Sequence, residues 1–515
     1  MKKITAGIAL ILLIISSSGC NNSDDKTSAS GRKVAVRDTS ITRNNASNPH
    51  FLDSAKLESF IAEQALNDSL ADGMRSFYNN RNFQFAWIGN DGLTEQALLF
   101  KSMYDFGNDS STARKKLDKQ LDALTTETAL RPATHLKTEL MLTWRFVQYT
   151  DHVFKTEEER NKVLETFVPR KRMPVQEIAV SVSDEKEMPT AAFSKLAEQI
   201  RRYSDIVAKG GWKNVAAVND IPGIKKRLAV SGEYTGKDSS AEMNTALQQA
   251  IMHFQTNHGF NPTGKINDEQ LKEMNIPAEK RLETLLINLE RTRWMPEHAK
   301  GRSVLVNIPE FRLHAWNEKD TAFTMNVVVG KEANGTLLFA STLNNVVFSP
   351  YWNVPRSIVK NELLPAMEKN KDYLKEKNME ITGEENGLPV IRQLPGEGNA
   401  LGKVKFLFPN AFNIYFHDSP EKHLFNKEDR AYSHGCIRLA DPAKMARFCL
   451  EGMNEWDDQK INTAMNSGEE KYIKMKRPVQ VQIAYYTAWV DEKGMLNFRN
   501  DIYGHDAESA RHLFL

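Results

Sequence analysis

Cysteine is nearly absent from this chain, with three in 515 residues. That is too few for a disulfide framework. Long apolar runs are missing as well. The run Ile4 to Ile15 holds twelve residues, where a helix needs about 20 to cross ~30 Å of hydrocarbon. Charge of one sign is not in excess either: Lys+Arg 68 against Asp+Glu 66 leaves +2. No whole-molecule field therefore draws the chain to nucleic acid, and a basic patch would have to be local. With 41% hydrophobic and 26% charged residues, the composition excludes a polytopic membrane protein, a collagen-like chain and a wholly disordered one. A length of 515 residues exceeds one core and predicts about three or four units.

What is present begins with an address. Lys2 and Lys3 precede the twelve-residue run, which closes on Ser17-Ser18-Gly19-Cys20, an arrangement suited to a secretory h-region. It resembles a bacterial lipoprotein signal, in which the cysteine is lipidated and becomes the first residue. The resemblance implies a signal peptide over 1–20, a lipid anchor on Cys20 and a periplasmic protein. Asn21 does not resemble an inner-membrane retention aspartate, which favours the outer membrane. An ordinary cleaved signal peptide is the alternative, and both export the protein. Residues 21–50 are polar and read as a flexible tether.

The remainder predicts an α+β multidomain protein. Residues 51–218 read as a helical scaffold: Leu140, Leu142, Trp144, Phe146, Val147 and Val153 follow a 3.6-residue rhythm. Phe77, Tyr78, Phe83, Phe85 and Trp87 form an aromatic cluster. Residues 219–278 contain Ala250-Ile251-Met252-His253-Phe254-Gln255, then His258-Gly259-Phe260 and Thr263-Gly264. These resemble the peptidoglycan-binding domain type 1, which implies a three-helix module. Leu282, Leu285, Leu286 and Leu289 share one helical face, so 279–300 reads as a helix returning to the scaffold. From Ser303 the rhythm becomes two, in Val304, Val306, Ile308 and later in Phe412, Ile414, Phe416. This predicts a β-rich domain over 301–452, with a charged, helical, lid-like insertion at about 361–394 and a C-terminal extension over 453–515.

The chemistry concentrates in Ser433-His434-Gly435-Cys436-Ile437-Arg438, with His417 ending an alternating stretch nineteen positions before Cys436. Cys436 has three readings: an apolar filler, a metal ligand with His417, His423 and His434, or a nucleophile served by a base from another element. No metal-ligand spacing is matched. For Cys449, between Met445 and Leu450, the filler reading wins. Gly435 lets the backbone approach a ligand, and the Gly435 and Cys436 N–H groups then face a developing oxyanion. Gly330-Lys331 and Gly396-Glu397-Gly398 lack the surrounding residues of a phosphate loop or a dinucleotide fingerprint.

His417, fifteen intervening residues and then Ser433-His434-Gly435-Cys436 resemble the catalytic domain of the L,D-transpeptidases (YkuD). More closely, the chain is similar to the large YcbB-like periplasmic subgroup. The matching stretches are Val306-Asn307-Ile308-Pro309, Ser349-Pro350-Tyr351-Trp352-Asn353-Val354-Pro355-Arg356, Asn399 to Phe406, Tyr415-Phe416-His417-Asp418 and Thr487-Ala488-Trp489-Val490-Asp491. The resemblance implies that Cys436 attacks the third-residue carbonyl of a peptidoglycan tetrapeptide stem and releases D-Ala. A second, acceptor stem then takes the acyl group in a 3→3 cross-link. His417 is the implied base. A carbonyl or hydroxyl near Tyr415 orients the imidazole, and His434 is either a second base or, in preference, a hydrogen-bonding brace of the loop. Arg438 either binds a stem carboxylate or braces the loop. No cofactor or metal is implied, and carbapenem-type β-lactams are expected to acylate Cys436. Transfer to water would make an L,D-carboxypeptidase, and adhesion alone would leave a wall-binding lipoprotein.

Overall fold

The computed structural model describes residues 33–90, 92–104, 132–183, 190–294, 301–318, 320–331, 336, 338–410 and 413–515. Cys20, the signal segment, the start of the expected tether and Phe412 lie outside them. The chain divides into two compact units, one of residues up to 297 together with 486–515, the other of 298–485. Among the described residues, no helix is long and apolar enough to cross a membrane.

In the first unit, helices Ser54–Glu63, Asp68–Asn80 and Glu157–Thr166 each begin at a side chain that accepts a free N–H: Asp53, Asn67 and Thr156. With helix Pro132–Val153 they enclose the aromatic cluster. Phe77 stacks on Trp87 at 5.9 Å, and Phe146 meets Trp87 edge-on at 5.1 Å. A short hairpin, β1 (Ile88–Gly89) with β2 (Gly92–Leu93), follows the cluster. The fully buried Glu139 accepts the Ala86 and Trp87 N–H groups at 2.7 and 2.9 Å. This internal carboxyl therefore holds backbone rather than facing a ligand.

The tether expected over 21–50 does not extend that far. The Asp38 N–H donates to the Asn79 carbonyl at 2.9 Å, Ile41 is buried, Ala46 pairs with Lys171, and Asn48 Nδ2 donates to the Ile88 carbonyl at 2.9 Å. A polar segment can lie on a domain when its backbone groups find partners there, and composition does not show this.

Helices Ile221–Ser231, Thr245–Asn257 and Asp268–Met274 share a separate core of Ile224, Leu228, Leu247, Ile251, Phe254 and Met274. The buried Gln255 amide ties its last turn, accepting the Gly264 N–H at 2.9 Å and donating to the Lys265 carbonyl at 2.8 Å. A third core joins helix Ala191–Ala208 to helix Ala278–Trp294 and to Ala488 and Phe498 of the tail.

The second unit is a barrel with an insertion. Its first strands are β3 (Arg302–Asn307), β4 (Arg312–Asn317), β5 (Asp320–Gly330) and β6 (Phe339–Phe348). The insertion holds β7 (Trp352–Asn353), β8 (Met379–Glu385) and β9 (Leu388–Gln393). Then come β10 (Val404–Leu407), β11 (Phe416–His417), β12 (Ala431–Ser433), β13 (Ile437–Leu439) and β14 (Lys471–Ala484). The order β5-β13-β11-β10-β6-β14-β3-β4 closes through β4–β5 pairing, with β12 outside on β5, so the ring leaves few unpaired edges. Alternate residues fill it: Val304, Val306, Leu313, Leu343, Val404, Phe406, Phe416, Ile437, Val481 and Ile483 are all at most 1% exposed.

Two expected boundaries move. The β-rich domain expected over 301–452 does not end there, because β14 pairs with both β3 and β6 and completes the ring. Only 486–515 belongs with the first unit. The insertion is not wholly helical. After Arg356–Ile358, a π-helical turn Val359–Leu363, Leu364–Lys369 and Tyr373–Glu376, it becomes the hairpin β8–β9, added to β7. The hairpin turns at Asn386-Gly387, both with positive φ, the residue pair such a two-residue turn favours.

Candidate active site

β11 and β13 are parallel neighbours, with Phe416 facing Ile437 and His417 facing Arg438. The Ile437 N–H donates to the Tyr415 carbonyl at 3.2 Å, so Cys436 lies beside Tyr415. Side chains alternate along each strand: Phe416, Ile437 and Leu439 go into the core, and Tyr415, His417, Cys436 and Arg438 share the other face. Cys436 and His417 are diagonal neighbours there, at a separation of about 7–8 Å between such backbone positions. Nineteen residues of sequence have become one diagonal step between neighbouring strands.

His417 is 4% exposed. Its Nδ1 lies 2.5 Å from the Asp418 carbonyl. A carbonyl only accepts, so Nδ1 carries the hydrogen and the lone pair sits on Nε2. Burial, and then the Arg438 guanidinium, push the His417 pKa down to about 4. The ring is therefore neutral at pH 7, with a free lone pair. The Cys436 sulfur donates to the Asn413 carbonyl at 3.8 Å, and the Tyr415 backbone and then its hydroxyl act on it to lower its pKa. Burial raises the thiol above its ordinary pKa, more than Tyr415 and Arg438 lower it. The thiol and the imidazole are thus both neutral at rest and share one face, with the thiol hydrogen-bonded to Asn413 and not to His417. Tyr415 is pushed far up by burial and by the adjacent sulfur, so its hydroxyl stays a donor.

Residues 301–483 match the family model YkuD, the L,D-transpeptidase catalytic domain. The barrel is a YkuD domain. Residues 72–209 match a model described as a scaffold domain. A Haemophilus influenzae protein, named provisionally as an L,D-transpeptidase, is 31% identical over 253 residues, which are 46% of this chain and 50% of that protein. The chain thus spans about half the length of the curated relative it matches. Among solved structures, the L,D-transpeptidase of Stackebrandtia nassauensis is 13% identical, covers 52% of this chain and 92% of its own, and has a TM-score of 0.23. That of Mycobacterium smegmatis is 12% identical, covers 35% and 58%, and has a TM-score of 0.20.

Within the YkuD domain, the expected role of Gly435 changes. The Gly435 N–H does not face an oxyanion, because it donates to Ser433 Oγ at 3.1 Å, and that hydroxyl donates to the Cys436 carbonyl at 2.6 Å. The Cys436 N–H remains the candidate donor from this turn. Glycine at 435 is still required, since its φ is 114°. The imidazole is oriented by the Asp418 carbonyl, while the Tyr415 hydroxyl serves the sulfur. His434 Nε2 pairs with Glu362 of the π-helical turn at 3.2 Å, so it braces the insertion. Arg438 pairs with Glu421, and its Nε is buried without a partner among the described residues. Binding a stem carboxylate and bracing the loop both fit that arrangement. Among the described residues, no group of three or more His, Cys, Asp or Glu could hold a metal ion.

Several contributors had no role from sequence. Buried Thr336, a hundred residues before the motif, donates to the Gly435 carbonyl at 2.9 Å and accepts the Gly330 N–H at 3.0 Å. The Asp418 carboxylate accepts the Lys403 N–H at 2.9 Å and the Ser419 N–H at 2.7 Å, and pairs with Lys422 at 2.5 Å. That fixes the backbone whose carbonyl orients His417. Gly402 makes the fit possible: its φ is 62°, and a Cβ there would stand 2.4 Å from Asp418 Oδ2. Gly402→Ala is expected to cost about 2 kcal/mol or more, read as a lower urea midpoint at unchanged slope, and to slow turnover. An unchanged midpoint with full activity contradicts this packing.

Proposed function

We propose that this protein is a peptidoglycan L,D-transpeptidase, with Cys436 as nucleophile and His417 as its base. The observation that carries the reading is that adjacent parallel strands bring the two to one face, with the imidazole tautomer set by Asp418. The Cys436 thiol attacks the carbonyl of the third stem residue as its proton passes to His417 Nε2. Because both groups start neutral, proton transfer accompanies attack instead of preceding it. The Cys436 N–H and the Tyr415 hydroxyl are the donors for the tetrahedral oxyanion, and one such donor is typically worth about 10²–10³ in rate. The imidazolium then returns the proton to the departing D-Ala amine, and the C–N bond breaks to leave a thioester. A side-chain amine of an acceptor stem attacks that thioester, gives its proton to His417 and expels the sulfur, which closes the 3→3 link.

The same proposal includes the YcbB-like arrangement, wall binding by the three-helix unit over 219–278, a lid role for the insertion, lipidation at Cys20 and a periplasmic, outer-membrane location. Carbapenem-type β-lactams acylate Cys436 under this reading. The test is muropeptide analysis after incubation of disaccharide-tetrapeptide with the protein and with Cys436→Ala. New cross-linked dimers that require Cys436 support transfer. Tripeptide alone replaces transfer with hydrolysis, and no Cys436-dependent product leaves an adhesive protein.

A further inference from the structure

One hydrogen-bonded row of the barrel leads from the catalytic pair to an exposed aromatic ring. Arg438 on β13 faces His417 on β11, which faces Lys405 on β10, then Val347 on β6, then Tyr472 on β14. Residues directly opposite across a sheet project on the same side, so Tyr472 shares the outer face with His417. Three strand spacings separate them, about 14 Å at ~4.8 Å each. Val347 between them is fully buried, whereas Tyr472 is 59% exposed.

Polar groups around this ring are already ordered. Lys405 Nζ lies 5.9 Å from the Tyr472 centroid, 3.3 Å from the Tyr351 carbonyl and 3.4 Å from Glu470 Oε1. Glu470 Oε1 also accepts the Tyr351 N–H at 2.9 Å. Tyr351 offers a second, half-buried ring, with the Arg392 guanidinium 4.4 Å above it. An aromatic face with an ammonium and a carboxylate beside it suits a ligand that has an apolar C–H face and a polar rim. A pyranose ring has both. The strand fixes the backbone from which the ring projects.

We infer that Tyr472, with Lys405, Glu470 and Tyr351, forms a saccharide shelf that takes the amino-sugar ring carrying the donor stem. The inference deepens the proposed transpeptidase activity and rests on it. Length supports it. The carbonyl attacked by Cys436 belongs to the third stem residue, and three extended residues reach ~10 Å. The γ-linkage within the stem and the lactyl ether on the sugar add further bonds. With the third residue at Cys436, a stem that runs along this row brings the sugar within reach of Tyr472. The shelf makes glycan-linked stems better donors than free peptides.

The test uses the full chain. Affinities for disaccharide-tetrapeptide and for free tetrapeptide are measured by calorimetry in a Cys436→Ala background, with Tyr472 intact, Tyr472→Ala or Tyr472→Phe. Turnover of the same two donors is followed with Cys436 present. Tyr472→Ala is expected to weaken the disaccharide-linked donor about tenfold and to leave the free peptide unchanged, whereas Tyr472→Phe keeps the face and stays within about twofold. Equal losses on both ligands, or none on the disaccharide, overturn the shelf. If sugar-dependent binding falls with Tyr472→Ala but nothing is turned over, the shelf stands and the transpeptidase proposal fails. If transfer occurs and the sugar adds no Tyr472-dependent affinity, the shelf fails and the proposal stands.

Discussion

Cys436→Ala is expected to lower D-Ala release from tetrapeptide by about 10⁴-fold or more, the scale seen when a covalent nucleophile is removed. Release is followed by coupled assay or by mass spectrometry of the free amino acid. Alanine removes the sulfur without removing what shapes the turn: the Ser433 hydroxyl still holds the Gly435 N–H, and Thr336 still holds the Gly435 carbonyl. The folded state should therefore survive, with an unchanged thermal midpoint, and the loss is one of chemistry. Cys449 supplies the control. It is 1% exposed in helix Pro442–Leu450, and burial pushes its thiol up to about 12, so Cys449→Ala leaves release intact. Loss of activity in the Cys449 variant with retention in the Cys436 variant would reverse the assignment.

The second large effect concerns His417. His417→Gln is expected to lower turnover by about 10²–10⁴-fold, the usual contribution of a positioned acid–base group. Its pH dependence is more specific than its size. The folded pKa lies near 4, below the ordinary 6.5, so the base is lost only as pH falls through about 4. The acid limb of kcat/KM is then expected near pH 4 in the wild type and absent from the residual activity of the variant. Stability has the same sign. Below pH 6.5 the unfolded imidazole binds a proton that the buried ring refuses, so stability falls from pH 6.5 towards 4 and gains nothing from this group above 6.5. Urea melts at pH 7.5 and 5 should show a larger drop for the wild type than for His417→Gln. An acid limb at 6.5, with no difference between the two melts, contradicts a buried neutral histidine.

The parts of this site that were legible in the sequence are those that depend on side-chain identity at a fixed spacing. His417 and the stretch Ser433 to Cys436 are of that kind, and strand alternation around them predicts that they meet across a sheet. What was hidden depends on backbone. The atom that sets the His417 tautomer is the Asp418 carbonyl, and every residue has a carbonyl. The Gly435 N–H could be assigned to an oxyanion only while the position of Ser433 Oγ was unknown. Thr336 comes from a distant segment, and its side chain alone gives no reason to look there.

The fold shows the same division. The insertion reads as helix by charge, yet Asn386-Gly387 between Ile381 and Val390 marks its hairpin. The alternation of Val479, Val481 and Ile483 marks β14, which a boundary at 452 left outside the barrel. The polar segment before His50 is held by hydrogen bonds from its backbone and from asparagine side chains, and composition reports none of them. The aromatic cluster and the three-helix core follow apolar spacing, and there periodicity and packing agree.

The most direct test of the central claim is intact-mass spectrometry of the protein quenched during turnover of tetrapeptide donor without an acceptor. The account predicts an adduct on Cys436 equal to the donor minus D-Ala, formed slowly in His417→Gln and absent in Cys436→Ala. Release of D-Ala at the wild-type rate by Cys436→Ala, with no adduct on any form of the protein, would contradict it.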